Sequence, residues 1–355
     1  MSTIARFTEL LGVDHPLVQA PMAGVSTPDL AAAVSNAGAL GSIGIGASSV
    51  AQAREMIAAT RARTDRPFNV NVFCHPAAAR DAERETAWLA HLAPLFEEFG
   101  AKAPESLREI YRSHLDDEEA YRLLLEVKPP VVSFHFGLPP AEWLAAYRAA
   151  GIPMMATATN PEEAARIDAA GIDVIVAQGI EAGGHRGMFD PEAHDSALST
   201  FVLVSQIVRR TSRPVVAAGG IMDGSGVRGM LALGAAAAQL GTAFVLCPES
   251  AADATYRAAL RSARAHDTRL TSAISGRPAR GISNRLMLHG QVVGSPPACG
   301  YPMAYDAAKQ LHAAAAAGGS DAAAAQWAGQ GAPLARERPA AALVVDLLNE
   351  MRTVG

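Results

Sequence analysis

Runs of apolar residues of strand length recur along the chain and alternate with alanine-rich segments whose apolar positions follow a helical period. Within each run the apolar residues are nearly continuous, which is typical of parallel strands that are buried on both faces and joined by helical crossovers. Eight such runs are present, at residues 17–23, 39–46, 67–73, 131–137, 153–159, 173–179, 214–220 and 237–246.

One helix of ordinary length is predicted between most successive runs. In TPDLAAAVSNAG, Thr27 is placed to cap the helix and Gly38 to adopt the left-handed conformation after its last turn. Eight strands with seven crossovers predict an α/β protein of the (β/α)8 TIM-barrel class over residues 1–265. A helical insertion is expected at about 76–130. Beyond residue 265 the alternation stops, and residues 266–355 predict a mostly helical second domain on the substrate side.

A doubly wound dinucleotide-binding sheet is the alternative architecture. The segment GIGASS at 44–49 contains GxG, but Ser49 stands where the third glycine of that fingerprint belongs. Asp65 lies at about the distance of the expected acidic residue, yet it precedes the next strand run instead of ending it. The barrel is therefore the favoured fold.

Composition narrows the choice of partners. The 355 residues hold 30 Lys and Arg against 35 Asp and Glu, a formal net charge of −5, which argues against a nucleic-acid surface or a polybasic anchor. The first residues lack the apolar core of a signal peptide, and no apolar run reaches about 18 residues. We expect a soluble, cytoplasmic monomer or homodimer acting on small molecules. The wide spacing of Cys74, Cys247 and Cys299 predicts free thiols and no metal site.

Polar and glycine residues interrupt the apolar runs at the same end of nearly every predicted strand. In a barrel this carboxyl end carries the active site, and glycine pairs there leave backbone N–H groups open to a phosphate. The amides of Asn71, Gln178 and Gln239 offer donors and acceptors to the edge of a flat heterocycle such as an isoalloxazine. Taken singly, each such residue also fits a turn or a buried amide; their coincidence favours a ligand site.

Several segments resemble the class I nitronate monooxygenase family, formerly called 2-nitropropane dioxygenases. The resemblance covers the strand ends from the first to the eighth strand and resumes in the C-terminal region. The segments are QAPMAGVSTPDLAAAVSNAGALGSIG (19–44), PFNVNVF (67–73), AQGIEAGGHRG (177–187), PVVAAGGIMDG (214–224), AAQLGTAFV (237–245), SGRPARGISNR (275–285) and GYPMAYDAAKQ (300–310).

The resemblance implies an FMN-containing barrel that oxidises alkyl nitronates, such as propionate 3-nitronate, with O2 and without a metal. The expected products are a carbonyl compound and nitrite, formed through one-electron transfer and a flavin semiquinone. It implies a catalytic role for His185 and a substrate pocket containing Tyr301, Tyr305 and Lys309, with Tyr111 added from the insertion. The FMN contacts that it implies are Met22, Asn71, Gln178, Gly183, Gly220, Gln239, Gly241 and Thr242.

The chemistry of His185 stays open between two roles at this point. An imidazole with an ordinary pKa of about 6.5 can abstract a carbon-bound proton or, when protonated, stabilise an anion. The neighbouring Arg186 is interpreted as a surface or interface charge without a catalytic role, and His135 has no assigned role.

Two other functions compete with nitronate oxidation. FMN-dependent NAD(P)H enoyl-[acyl-carrier-protein] reductases and quinone reductases carry a similar EAGGH segment on the same kind of barrel. The YPMAY segment followed by Lys309 favours the monooxygenases. A non-catalytic flavin-binding protein is the remaining alternative, against which the intact His185 with its glycines argues.

Overall fold

The computed structural model describes residues 2–77 and 80–353. Residues 78 and 79 of the predicted insertion, Met1 and the last two residues of the predicted second domain lie outside the described residues. The described strands are β1 (Leu17–Gln19), β2 (Gly41–Gly44), β3 (Phe68–Phe73), β4 (Val131–His135), β5 (Met154–Ala158), β6 (Val174–Gln178), β7 (Gly184–His185), β8 (Val215–Ala218), β9 (Ala237–Leu240), β10 (Thr268–Thr271) and β11 (Ala279–Ile282).

Eight parallel strands form a closed barrel. Their order of pairing is β1-β9-β8-β6-β5-β4-β3-β2, and a parallel bridge between Val18 and Leu40 joins the two ends. At this seam the Gln19 amide donates to the Leu40 carbonyl at 2.9 Å, and the Leu40 amide donates to the Leu17 carbonyl at 2.9 Å. The predicted (β/α)8 barrel is confirmed, since each of the eight apolar runs contains one of its strands.

The last apolar run differs from its prediction because only its first part is a strand. β9 ends at Leu240, and Thr242–Val245 then forms a four-residue helix. The backbone of Gly241 turns between them at φ −109° and ψ −68°. This early turn brings the following peptide groups to the carboxyl end of the barrel.

Helices surround the barrel and cover its outer surface. Thr27 accepts a hydrogen bond from the Leu30 amide, and Gly38 has φ +84°, so both predicted ends of the first crossover helix are confirmed. The helices are α1 (Thr3–Leu11), α2 (Pro28–Asn36), α3 (Val50–Arg61), α4 (Ala82–Glu98), α5 (Glu118–Val127), α6 (Ala141–Ala149), α7 (Pro161–Ala169), α8 (Thr200–Ile207), α9 (Gly224–Ala232), α10 (Thr242–Val245), α11 (Ala254–Leu260), α12 (Arg285–His289), α13 (Met303–Ala317) and α14 (Ala340–Thr353).

The outer ring of helices is completed by the C-terminal helix. α14 packs between α9 and α2, and its Leu343, Val344 and Leu347 side chains are fully buried in the barrel's outer core. The short α10 cannot cover this gap after β9, so a helix from the distant end of the chain does so.

The predicted insertion divides into two helices with different partners. α5 packs against α3 and α6 and takes the ring position after β3, whereas α4 packs against α13. The contact between α4 and α13 has its own apolar core, in which Trp88, Leu92 and Phe96 meet Met303 and Leu311.

The C-terminal region also adds strands. β10 and β11 pair antiparallel, and β11 pairs antiparallel with β7, the two-residue strand that contains His185. The predicted second domain at 266–355 stays a prediction, since α14 lies on the barrel and α13 on the insertion. Among the described helices, none combines the length and hydropathy that crossing a bilayer requires.

Candidate active site

A cavity of about 770 Å³ opens at the carboxyl ends of the barrel strands. Its volume lies within the range of about 300–1,000 Å³ that is usual for cofactor and ligand sites. The cavity brings together all of the predicted site residues: Met22, Asn71, Tyr111, Gln178, Gly183, His185, Gly220, Gln239, Gly241, Thr242, Tyr301, Tyr305 and Lys309. Residues from every part of the chain thus converge on one site.

The backbone of His185 is held from two sides. Its carbonyl oxygen accepts hydrogen bonds from Gln178 Nε2 at 2.9 Å and from His135 Nε2 at 3.2 Å. On the other side, β7 pairs with β11 in a register that sets His185 opposite Ala279. His135 Nδ1 lies 3.1 Å from Thr157 Oγ1 and accepts its hydroxyl hydrogen, because Nε2 carries the ring hydrogen. His135 therefore positions the loop that carries His185.

Arg186 is buried, so its interpretation as a surface or interface charge is wrong. Its side chain is 1% exposed and forms two charge-assisted hydrogen bonds with Asp195, at 2.8 and 3.1 Å. Nη1 also donates to the carbonyls of Gln178 and Gly179, at 2.9 and 3.0 Å. A buried guanidinium requires such partners, and here they join the end of β6 to the loop after His185.

The ring of His185 stands among aromatic side chains. The centroids of Phe136, Tyr301, Tyr305 and Trp327 lie 5.7, 5.8, 6.1 and 5.2 Å from that of the imidazole. Burial, together with the nearby His135, Arg277 and His75, lowers the pKa of His185 to about 3. The imidazole is consequently neutral at physiological pH and can accept a proton.

The three predicted side-chain amides differ in which of their polar atoms remain free to bind a ligand. Gln178 uses both ends, since Oε1 accepts from the Gly187 amide at 2.8 Å while Nε2 donates to His185. Asn71 donates through Nδ2 to Ser133 Oγ at 2.9 Å, and no described residue donates to its Oδ1. The side chain of Gln239 makes no hydrogen bond within the described residues. Asn71 and Gln239 therefore present free polar atoms to the cavity.

The glycines serve different purposes. A Cβ on Gly183 would lie 2.5 Å from the Gly329 backbone nitrogen, so Gly183 is required for close packing with the segment before α14. Gly219 and Gly220 have φ +123° and +71°, and among the described residues no acceptor binds their backbone N–H groups. The Gly241 N–H is likewise unpaired in this part of the chain. These N–H groups form a ready anion site.

The predicted substrate residues lie together at the cavity mouth. Lys309 Nζ is exposed and lies 4.9 Å from the ring centroid of Tyr111 and 5.5 Å from that of Tyr305, both cation–π distances. Burial raises the pKa of Tyr111 and Tyr305 to about 12 and that of Tyr301 well above its usual range, so all three phenols are neutral. Lys309 is thus the cation at this rim of the site.

Four residues around His185 were not predicted from the sequence: Phe136, Ser275, Arg277 and Trp327. Ser275 lies 2.8 Å from His185 Nε2, Arg277 stacks on Phe136 at 4.2 Å, and Trp327 faces the imidazole. Ser275 and Arg277 belong to the quoted segment SGRPARG, which was a usable signal, whereas Trp327 lies in an alanine-rich stretch that gives none.

The described residues contain no group of three or more His, Cys, Asp or Glu side chains that could hold a metal ion. Cys74, Cys247 and Cys299 are buried free thiols. Burial raises their pKa values, those of Cys247 and Cys299 to about 12, which keeps them protonated and poorly nucleophilic.

A closed (β/α)8 barrel with a neutral histidine in a cavity at its strand ends defines an enzyme of the TIM-barrel class. The sequence profile of the nitronate monooxygenase family matches residues 5–350. A nitronate monooxygenase of Pseudomonas aeruginosa is 56% identical over 98% of this chain and 99% of that protein. The chain belongs to the nitronate monooxygenase family, and it is an oxidoreductase that oxidises nitronates.

Solved structures agree with this assignment. A nitroalkane oxidase from Streptomyces ansochromogenes superposes with a TM-score of 0.89 and is 39% identical, covering 98% of this chain and 97% of its own. FabK from Thermotoga maritima superposes less closely, with a TM-score of 0.73 at 30% identity, covering 98% of this chain and 96% of its own.

The buried histidines predict a marked loss of stability in mild acid. Burial lowers the pKa of His75 and of His135 to about 4, and that of His185 to about 3, against about 6.5 in the unfolded chain. Below pH 6.5 the unfolded state therefore binds protons that the folded state does not. The free energy of unfolding should fall by about 2 kcal/mol per histidine between pH 7 and pH 5, and the fall should level off near the folded pKa values.

Urea unfolding at the two pH values measures this. His135→Asn should reduce the fall by about 2 kcal/mol, whereas His266→Asn, at an exposed position, should leave it as in the parent chain. An unchanged fall in His135→Asn would contradict the neutral state of that histidine.

Proposed function

We propose that this chain uses FMN to oxidise small alkyl nitronates, such as propionate 3-nitronate, with O2 to a carbonyl compound and nitrite. The observation that carries the proposal is the neutral His185 at the strand-end cavity of a nitronate monooxygenase barrel. The family is one of flavoenzymes, and the predicted FMN contacts all line this cavity.

The free polar groups fit FMN. Asn71 Oδ1 and the amide of Gln239 are a pair of partners for the edge of the isoalloxazine, and the N–H groups of Gly219, Gly220 and Gly241 are donors for its phosphate. Met22 and Thr242 complete the wall beside Gly241. When bound, FMN supplies the electron acceptor for the nitronate and the route to O2.

The polypeptide supplies orientation and proton transfer. Phe136, Tyr301, Tyr305 and Trp327 pack around the His185 ring, whose neutral imidazole has a lone pair to act as a base for the acidic C–H of a neutral nitroalkane. A nitronate has already lost that proton, so its oxidation does not need the base. Loss of the base should therefore affect neutral nitroalkanes much more than nitronates.

A reductase is the second candidate, favoured by the 30% identity to FabK from Thermotoga maritima. Two observations favour nitronate oxidation over it. The nitroalkane oxidase superposes more closely, and the tyrosines 301 and 305 with Lys309 stand at the mouth of the cavity as the monooxygenase resemblance implies. A non-catalytic flavin-binding protein has no use for a base held in its neutral form.

His185→Asn should separate the two substrate classes. Turnover of a neutral nitroalkane should fall by about 10²- to 10⁴-fold, the usual contribution of a general base, because asparagine cannot accept the proton. Oxidation of the preformed nitronate should change by less than about tenfold. Steady-state oxygen consumption with nitroethane and with ethyl nitronate measures both, and His266→Asn serves as the control. Equal losses on both substrates would contradict the assignment of His185 as the general base.

Lys309→Met should reveal how a carboxylated nitronate is held. Lys309 Nζ is the cation at the rim formed by Tyr111 and Tyr305 and is placed to meet a second negative charge. We expect KM for propionate 3-nitronate to rise by about fivefold, the upper end for a partly exposed ion pair, with kcat little changed. KM for ethyl nitronate, which lacks the carboxylate, should stay the same, as should both constants in the exposed control Lys102→Met. Unchanged KM for propionate 3-nitronate would exclude this contact.

A further inference from the structure

Among the described residues, one buried hydroxyl group forms a hydrogen bond with the ring of His185. Ser275 lies between β10 and β11, is fully buried, and has its Oγ 2.8 Å from His185 Nε2. The same Oγ lies 3.1 Å from the Arg277 carbonyl oxygen and 3.3 Å from the Arg277 backbone nitrogen. No described residue forms a hydrogen bond with His185 Nδ1, the other ring nitrogen.

The hydroxyl has only one hydrogen, so it can donate either to His185 or to the Arg277 carbonyl. If it donates to Nε2, the carbonyl of Arg277 loses its donor, and only two of the three contacts are hydrogen bonds. If it donates to the carbonyl, Oγ accepts from both the Arg277 N–H and His185 Nε2–H, and all three contacts are satisfied. Buried polar groups are almost always paired, so the second arrangement is the stable one.

We propose that Ser275 is a positioning residue that fixes His185 as the Nε2–H tautomer and leaves the lone pair of Nδ1 as the base in the cavity. The inference rests on the proposed function for the identity of the proton donor, a neutral nitroalkane. In that step the C–H bond breaks, its proton goes to Nδ1, and its electron pair remains on the nitronate that forms.

Neighbouring groups support the fixed ring. The rings of Phe136 and His185 meet at an interplanar angle of 90°. The guanidinium carbon of Arg277 lies over the Phe136 ring, 4.2 Å from its centroid. β11 carries Ala279 opposite His185, so the strand that follows Ser275 also fixes the backbone of the histidine. The ring of His185 is thus bound by the connection between β10 and β11, and its backbone by β11 itself.

The tautomer is measured directly by nitrogen NMR on the flavin-loaded oxidised protein with ¹⁵N-labelled histidine, with His185→Asn used to assign the signals. We expect the hydrogen of His185 on Nε2 in the parent protein, and a mixture of tautomers in Ser275→Ala. A hydrogen on Nδ1 in the parent protein, or an unchanged tautomer in Ser275→Ala, would overturn the proposal.

Kinetics provide the second readout. In Ser275→Ala, kcat for nitroethane should fall by about tenfold, because the base is then present only part of the time and is less well oriented, while kcat for ethyl nitronate changes by less than about twofold. Ser35→Ala is a matched control, since Ser35 is a fully buried serine that also binds one backbone carbonyl and one backbone N–H, far along the chain on α2. Equal losses on both substrates in Ser275→Ala would contradict a role in proton transfer.

The tautomer of His185 and its role as the base are tested by different measurements. The NMR result does not depend on turnover, so the tautomer can be tested even if His185 proves dispensable. Retention of nitroalkane turnover in His185→Asn would show failure of the base assignment, whatever the tautomer.

Discussion

The backbone carbonyl of His185 is the point on which the site depends. Two side chains from the ends of barrel strands, Gln178 and His135, donate to this one oxygen. Because side chains on strands are positioned more precisely than those on loops, these bonds fix the glycine-containing loop relative to the cavity. The pairing of β7 with β11 fixes the opposite edge of the same residue. Catalytic geometry in this protein is thus set by the barrel and by the C-terminal sheet together.

Such placement has an electrostatic consequence. An imidazole enclosed by aromatic rings, with cationic Arg277 nearby and no carboxylate partner among the described residues, is more stable without a proton. The adjacent Arg186 would be intolerable in the same interior if Asp195 and the strand-end carbonyls did not bind it. The chain therefore keeps the partly buried His185 neutral and the adjacent, fully buried Arg186 charged. One ring nitrogen of His185 is thus left without a hydrogen.

The barrel and the location of the site follow from local patterns that can be read along the chain. Continuous apolar runs predict buried parallel strands, and the side chains at their ends, such as Asn71 and Gln239, necessarily meet at one end of a closed barrel. The roles of Gly183 and Ser275 could not be predicted this way. Gly183 is needed because the backbone at Gly329 approaches it, and Ser275 acts on a histidine 90 positions earlier. Contacts of this kind leave no periodic trace in the sequence.

The same limit explains two further differences. In the sequence, Arg186 cannot be told apart from a solvent-exposed arginine, because its partner Asp195 is brought next to it only when the loop folds. The place of α14 in the helical ring depends on the gap that the short α10 leaves after β9, which is a property of the assembled barrel. Helix propensity alone predicts that residues near the C-terminus are helical, and tertiary packing decides where the helix lies.

The central claim is that nitronates are the electron donors to a flavin bound in this cavity. The most direct measurement is the visible spectrum of the purified protein under anaerobic conditions, recorded before and after adding propionate 3-nitronate and, separately, NADPH or NADH. We expect the nitronate to alter the flavin absorbance within the time of one turnover and the nicotinamides to leave it unchanged. Bleaching by a nicotinamide, with no response to the nitronate, would contradict this function and identify a reductase.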